Sequence, residues 1–397
     1  MKYLIIKRFF LKIGFCAGIL TLLFGCHSSL LKEEQSVIDE ISARWVPDHR
    51  EGICSVTAVK GKDGALILRG ETTILQAKQD IIKALGKSGN MLIDSIITLP
   101  DTVVNAKYHG LITLSAGNLR KEPQHSSELV SQAILGTPVL ILKNGNGWLL
   151  VQTPDKYIAW IEKASVALMS SAEIESWKHG GKVVFIENSG WIYVTTDEKE
   201  VVGDLVSGSI LVKTGESKGY VKIVFPDGRE GFIRNRSVMD FNLWKAQVLT
   251  EESICNTAST FLGLPYLWGG SSSKAVDCSG FVQSVYFRNG VILSRDASLQ
   301  AGHGVSIDPA EGYGKFRKGD LLFFGSRSNS ALRVTHVAIY KGDSEFIHSA
   351  GRVMISSLDS TRANFSKFRK NSLLAVKQII GTENDLGIVP VSKHEWY

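Results

Sequence analysis

Tyr266-Leu267-Trp268-Gly269-Gly270, followed closely by Asp277-Cys278-Ser279-Gly280-Phe281-Val282, is the stretch of this 397-residue chain from which the rest is best read. Asp277 is a favourable N-cap, and Phe281, Val282 and Val285 recur behind it at helical spacing, so a helix is expected to begin here. Cys278 then falls in the first turn, where the helix dipole and unpaired backbone amides favour negative charge. That position predicts a lowered thiol pKa, a thiolate nucleophile and ready donors for an oxyanion. Alone, a cysteine at a helix start is more often a small core residue, so the reading depends on its surroundings.

Toward the C-terminus, Val334-Thr335-His336-Val337-Ala338-Ile339-Tyr340 places a histidine on a strand with β-branched neighbours, and histidine suits proton transfer near neutrality. Glu345-Phe346-Ile347-His348-Ser349 follows a short Gly342-Asp343 turn, so the two strands form a hairpin. A three-residue loop from Gly342 to Ser344 sets His348 opposite Ala338 on the face of His336, roughly 7 Å away. A two-residue loop pairs His348 with Val337 and turns it to the other face. The longer loop is therefore expected, with His348 orienting His336.

Toward the N-terminus, residues 244–262 carry helical periodicity, with Val248, Ile254, Ala258 and Phe261 to one side. Before them, two passages share one order: a glycine with alternating β-branched residues, an aromatic strand, a Pro-Asp turn, and an aromatic strand. The turns are Pro154-Asp155 before Ala159-Trp160-Ile161 and Pro226-Asp227 before Gly231-Phe232-Ile233. This internal repeat predicts two small barrels, residues 101–170 and 178–242, similar to the bacterial SH3-like barrels that accompany wall hydrolases. Residues 26–100 read as a polar tether around Lys32 to Gln35 and a small α/β module: strand-like Ser55 to Lys60, Ala65 to Gly70 and Met91 to Leu99, with a helical stretch from Ile74 to Leu85. Trp148, Trp160 and Trp191 are expected mostly to fill barrel cores.

The Y-x-W-G-G, D-C-S-G and two histidine segments resemble the NlpC/p60 family of papain-like peptidases, over roughly residues 245–380. The resemblance implies an α+β chain: a papain-like catalytic domain over 244–385, preceded by the two SH3-like barrels and the N-terminal module. It implies Cys278 as nucleophile, His336 as base, His348 as orienting residue, and Tyr266 beside the thiol as a donor to the intermediate. In members that split the bond between D-glutamate and a diamino acid of peptidoglycan stem peptides, it further implies substrate-holding roles for Asp277, Ser279 and Ser298. Ser298 lies in the shared motif Arg295-Asp296-Ala297-Ser298-Leu299-Gln300. Glu128 and Tyr157 in the first barrel resemble the glutamate and tyrosine with which such relatives bind the free amine of an N-terminal L-alanine, which implies a clipped peptide substrate.

The first residues carry an address. Lys2, Lys7, Arg8 and Lys12 are interleaved with an apolar run from Phe9 to Phe24, in the positive-then-apolar order of a secretory signal. The run is shorter than the ~20 residues needed to span a bilayer. It closes on Leu23-Phe24-Gly25-Cys26, which resembles a bacterial lipobox, so residues 1–25 are expected to be removed and Cys26 lipidated. Without residues 1–25 the formal net charge falls from +6 to +2, which lends no support to a nucleic-acid partner. Cys54, Cys255 and Cys278 are too few for a disulfide framework, although a Cys54–Cys255 bridge stays open. No Cys/His cluster has metal-ligand spacing, so neither metal nor cofactor is expected. His303, in a glycine-rich loop, reads as solvated.

The expectation is an exported, envelope-anchored, monomeric cysteine endopeptidase acting on peptidoglycan-derived peptides, at the bond between γ-D-glutamate and meso-diaminopimelate or L-lysine. Two alternatives stay open: another thioester-forming wall amidase or acyltransferase, or an inert wall-binding lipoprotein.

Overall fold

The structure is a computed structural model that describes residues 31–61, 63–88, 91–101, 107–328, 331–383 and 385–397. The expected signal segment 1–25 and Cys26 lie outside the described residues.

The polar start is not a tether. Lys32–Trp45 is a helix whose Ile38 and Ile41 are buried against Val56, Leu66, Leu68 and Ile81. Cys54–Lys60 pairs antiparallel with Leu66–Thr72, and the helix Leu75–Leu85 crosses over to Leu92–Thr98, which runs parallel to that second strand. Helices on a small sheet explain why polar-looking residues order here: every third or fourth residue of the first helix is apolar and has a sheet to cover.

Two seven-stranded barrels follow, over His109–Met169 and Lys182–Asp240. Read in chain order, each has the same neighbour sequence: last strand, first, fourth, fifth, sixth, second, third. Each carries a bulge between its fourth and fifth strands, at Ile141/Lys143 and at Lys213/Gly215, and a 3-10 turn before its last strand. The repeat seen in the residues is thus a repeat of topology. Trp148 is buried in the first barrel, but Trp191 of the second barrel is exposed.

The C-terminal part builds on a six-stranded antiparallel sheet in the order Val305–Ile307, Leu373–Gln378, Leu321–Ser328, Ala331–Gly342, Glu345–Ala350, Arg352–Ser357. The helix Cys278–Arg288 lies on it through Phe281, Val282 and Val285, which pack with Val337, Ile339 and Ile347. The helix expected over 244–262 is shorter. Glu251–Thr260 forms it, capped by Thr250, with Ile254 and Ala258 buried, while Val248 lies before it and is 80% exposed. Pairing continues past residue 385: Ile388–Pro390 adds to Val291–Leu293.

The hairpin loop is shorter than expected, yet the register is the expected one. Gly342 pairs with Glu345 across a two-residue turn in which Asp343 and Ser344 both take positive φ, and a bulge between Tyr340 and Gly342 absorbs one residue. Ile339 therefore faces Ile347, which carries His348 onto the face of His336.

Candidate active site

Asp277 caps the helix Cys278–Arg288: its Oδ1 accepts from the Gly280 amide at 2.7 Å and its Oδ2 from the Gly269 amide at 3.0 Å. Both glycines are required by close approach. A Cβ on Gly280 would sit 2.1 Å from the Gly270 carbonyl, and one on Gly269, already at φ +75°, would sit 2.3 Å from the Leu129 carbonyl. The glycines thus let three chain segments converge on Cys278.

The backbone amides of Val337 and Ser279 favour the charged form of the Cys278 sulfur, and Cys278 shares a buried apolar cluster with Val337, the strand residue next to His336. His336 Nε2 lies 2.9 Å from His348 Nδ1, the rings almost perpendicular at 88°. His348 Nε2 in turn meets Ser356 Oγ at 3.0 Å. With Nε2 engaged, Nδ1 is the His336 atom available to a thiol proton. Tyr266 is fixed by a backbone bond to Gly351 and a bridge to Val276, and its hydroxyl lies within electrostatic reach of Cys278.

The electrostatics differ from the expectation of a lowered thiol pKa. Burial pushes the Cys278 thiol up to about 11, Asp277 adds to this, and the amide donors do not offset them. Burial, followed by the Arg369 guanidinium and His348, pulls His336 down to about 2; burial and Arg369 pull His348 down to about 3. At rest the site therefore holds a neutral thiol and neutral imidazoles. Burial, followed by the neighbouring thiol, holds the Tyr266 hydroxyl up at about 12, so it remains a donor at neutral pH.

Asp277 and Ser279, expected to hold substrate, have internal partners. Arg295 is fully buried; it contacts Asp277 Oδ2 at 2.6 Å, Asp277 Oδ1 at 3.2 Å and Ser279 Oγ at 3.0 Å, and reaches Ser131 of the first barrel at 2.9 Å. Burial opposes its charge, but Asp277, helped by Asp296 and Tyr157, outweighs burial and the guanidinium stays protonated.

The first barrel bonds to the loop that precedes Cys278. Glu128 accepts from the indole of Trp268 at 2.9 Å, and Gln132 bonds Ser271 and Ser272. Tyr157 is buried facing Asp296, Arg295 and Arg50; burial first, then Asp296, raises its hydroxyl. Ser298 is exposed, and its hydroxyl meets Arg50 at 3.3 Å. The structure thus gathers Cys278, His336, His348 and Tyr266 at the helix start, and sets Glu128 by Trp268 and Tyr157 by Asp296.

Ser356, Arg295, Arg369 and Arg50 are neighbours that the sequence reading did not assign. Only Arg295 carried a signal, its place in the quoted motif. His303 is not solvated but bonded to Asp385, and Cys54, Cys255 and Cys278 are all free thiols, with no bridge. Among the described residues no cluster has the make-up of a metal site, and no helix is long and apolar enough to cross a membrane.

Comparison with known proteins agrees with this geometry. A profile of the NlpC/P60 family matches residues 263–369, and one of the bacterial dipeptidyl-peptidase SH3 domain matches residues 119–166. The chain is 32% identical over 224 residues to the gamma-D-glutamyl-L-lysine dipeptidyl-peptidase of Bacillus subtilis, covering 55% of this chain and 71% of that one. It is 26% identical to dipeptidyl-peptidase 6 of Lysinibacillus sphaericus, covering 68% of this chain and 98% of that one. The crystal structure of an NlpC/P60 family protein from Bacillus cereus shares the fold with a TM-score of 0.60 at 21% identity, over 68% of this chain and 99% of that one.

Proposed function

The chain belongs to the NlpC/P60 family of peptidoglycan hydrolases, and from that premise we propose that it is a cysteine endopeptidase cleaving the γ-D-glutamyl to diamino acid bond of stem peptides with a free N-terminal L-alanine. The observation that carries this reading is the Cys278 thiol at a capped helix start, in one buried cluster with Val337 and so beside the bonded His336–His348 pair. Because thiol and imidazole are both neutral at rest, attack is coupled to proton transfer. His336 Nδ1 takes the thiol proton as sulfur bonds to the γ-carbonyl carbon, and the helix amides and Tyr266 hydroxyl receive the oxyanion. The imidazolium returns its proton to the amine of the diamino acid as the C–N bond breaks. Water, deprotonated by His336, then opens the thioester and releases the dipeptide.

Arg295, Asp277 and Ser279 act by position: they hold the helix start and tie it to the barrel. Glu128 and Tyr157 bound the end of the cleft where the alanine ammonium would lie. Export and lipidation at Cys26 belong to the same reading, and would place the enzyme where wall peptides are met.

The test is hydrolysis of L-Ala-γ-D-Glu-meso-diaminopimelate, its L-lysine analogue and their N-acetylated forms. Cys278→Ala should abolish all cleavage with the fold intact. Glu128→Ala should raise KM for free-amine peptides and little for blocked ones. Retained activity in the first variant would sink the assignment, and equal effects on both peptide classes would sink the amine role.

A further inference from the structure

Arg50 belongs to the segment between the first helix and the first strand of the N-terminal module, yet its guanidinium lies at the active-site motif. Its backbone is fastened to the first barrel, where the Arg50 carbonyl accepts from the Ile158 amide at 2.7 Å and the Glu51 carbonyl from the Gln152 side chain at 3.1 Å. From there Nη1 reaches Asp296 Oδ2 at 2.7 Å, and both Nη atoms reach Ser298 Oγ at 3.3 Å. Behind it, Asp48 grips Nε at 2.8 Å and Nη2 at 2.5 Å.

A guanidinium has five N–H donors and no acceptor. These five contacts use them all, so Arg50 as placed has none left for a substrate carboxylate and is not a reader of one. What it does is occupy. Asp296 and Ser298, beside the buried Tyr157, already hold one cation, and Asp48 keeps its fork aimed at them. An N-terminal ammonium offers the same chemistry, a positive charge with N–H donors, and like charges cannot share one carboxylate cheaply.

We propose that Arg50 is an intramolecular competitor for the substrate's ammonium group: the N-terminal module inserts it into the amine end of the cleft, where it sets the enzyme's preference between free and blocked peptide termini. This inference rests on the free-amine reading above and deepens it, because it gives the N-terminal module a part in specificity.

The test uses the full chain with L-Ala-γ-D-Glu-meso-diaminopimelate and its N-acetylated form. Arg50→Met should lower KM for the free-amine peptide about tenfold, the scale of one charge–charge contact at an exposed site, with kcat little changed and the acetylated peptide unaffected. Asp48→Asn, which loosens the grip without removing the cation, should act in the same direction and less. Adding Asp296→Asn to Arg50→Met should cancel the gain. Unchanged or raised KM for the free-amine peptide, or equal movement for both peptides, would overturn the proposal. If the natural enzyme cleaves neither peptide, the proposed reaction fails. Calorimetric binding of L-Ala-γ-D-Glu to Cys278→Ala protein, with and without Arg50→Met, then decides the Arg50 question alone. Tighter binding without Arg50 supports it, and equal or weaker binding refutes it.

Discussion

Cys278 is pulled two ways. Its place at a helix start and the nearby backbone amides of Val337 and Ser279 favour the thiolate, whereas burial and Asp277 favour the thiol, and the second pair prevails. His336 and His348 are likewise neutral because burial and Arg369 disfavour their charge. Among the described residues no carboxylate pairs with Arg369, whose guanidinium lies over Phe324, and the Phe324 ring lies 5.8 Å from that of His336. Stability follows from this. Both histidines have folded pKa values below the unfolded value of about 6.5, so their contribution is fully present above pH 6.5. It is lost as pH falls toward about 3 and 2, because the unfolded chain takes up protons that the folded chain refuses. In urea unfolding between pH 6 and 4, His348→Gln should shallow the decline in stability by up to ~1.4 kcal/mol per pH unit. Parallel declines in the two proteins would contradict it.

At the scale of elements, glycines and a bulge do the placing. The loop carrying Gly269 passes so near Leu129 that any side chain meets backbone, and its neighbour Trp268 is the residue that bonds Glu128. Gly269→Ala should therefore cost roughly 1–3 kcal/mol of strain and raise KM as the barrel is pushed from the cleft. Thermal unfolding and peptide kinetics on the one variant check both effects, and a wild-type Tm with wild-type KM would refute the close-approach argument. In the histidine hairpin, the two positive-φ turn residues draw the loop tight while the bulge after Tyr340 restores the pairing. Turn and bulge compensate, so His348 reaches His336.

Across the whole molecule, the barrels are not beads on a string. The first bonds the catalytic part through Glu128, Ser131 and Gln132, and Asp155 at its Pro-Asp turn holds Gln283 of the helix Cys278–Arg288 at 2.7 Å. The second meets the same region from another side, where Asp204 pairs with Lys274 at 2.5 Å and the Ser207 amide meets Ser273 at 3.0 Å. Arg295 spans the junction with the first barrel, fully buried. Ser131→Ala removes the partner of its Nε and should destabilise by about 1–3 kcal/mol, the penalty of a buried donor left unmet. Calorimetric unfolding would show this as a lowered Tm for the catalytic part as well as the barrel, and a transition shifted for the barrel alone would argue against a shared core.

Local chemistry was legible in the residues: an N-cap before a periodic apolar run, histidines among β-branched neighbours, and a repeated Pro-Asp order. Cys278 at a helix start, His336 with His348 on one face, and two like barrels follow from those patterns, because capping, strand alternation and turn chemistry act over a few residues. The sign of the Cys278 shift was not legible, since desolvation depends on what packs over the thiol. Nor was the bulge that reconciles a short loop with the right face, because one extra residue leaves little mark on composition. Arg295 meeting Ser131 and Arg50 meeting Asp296 join residues 164 and 246 positions apart. Only tertiary packing brings such groups together, and long-range charge placement is what sets the barrel and the N-terminal module against the cysteine and its histidines.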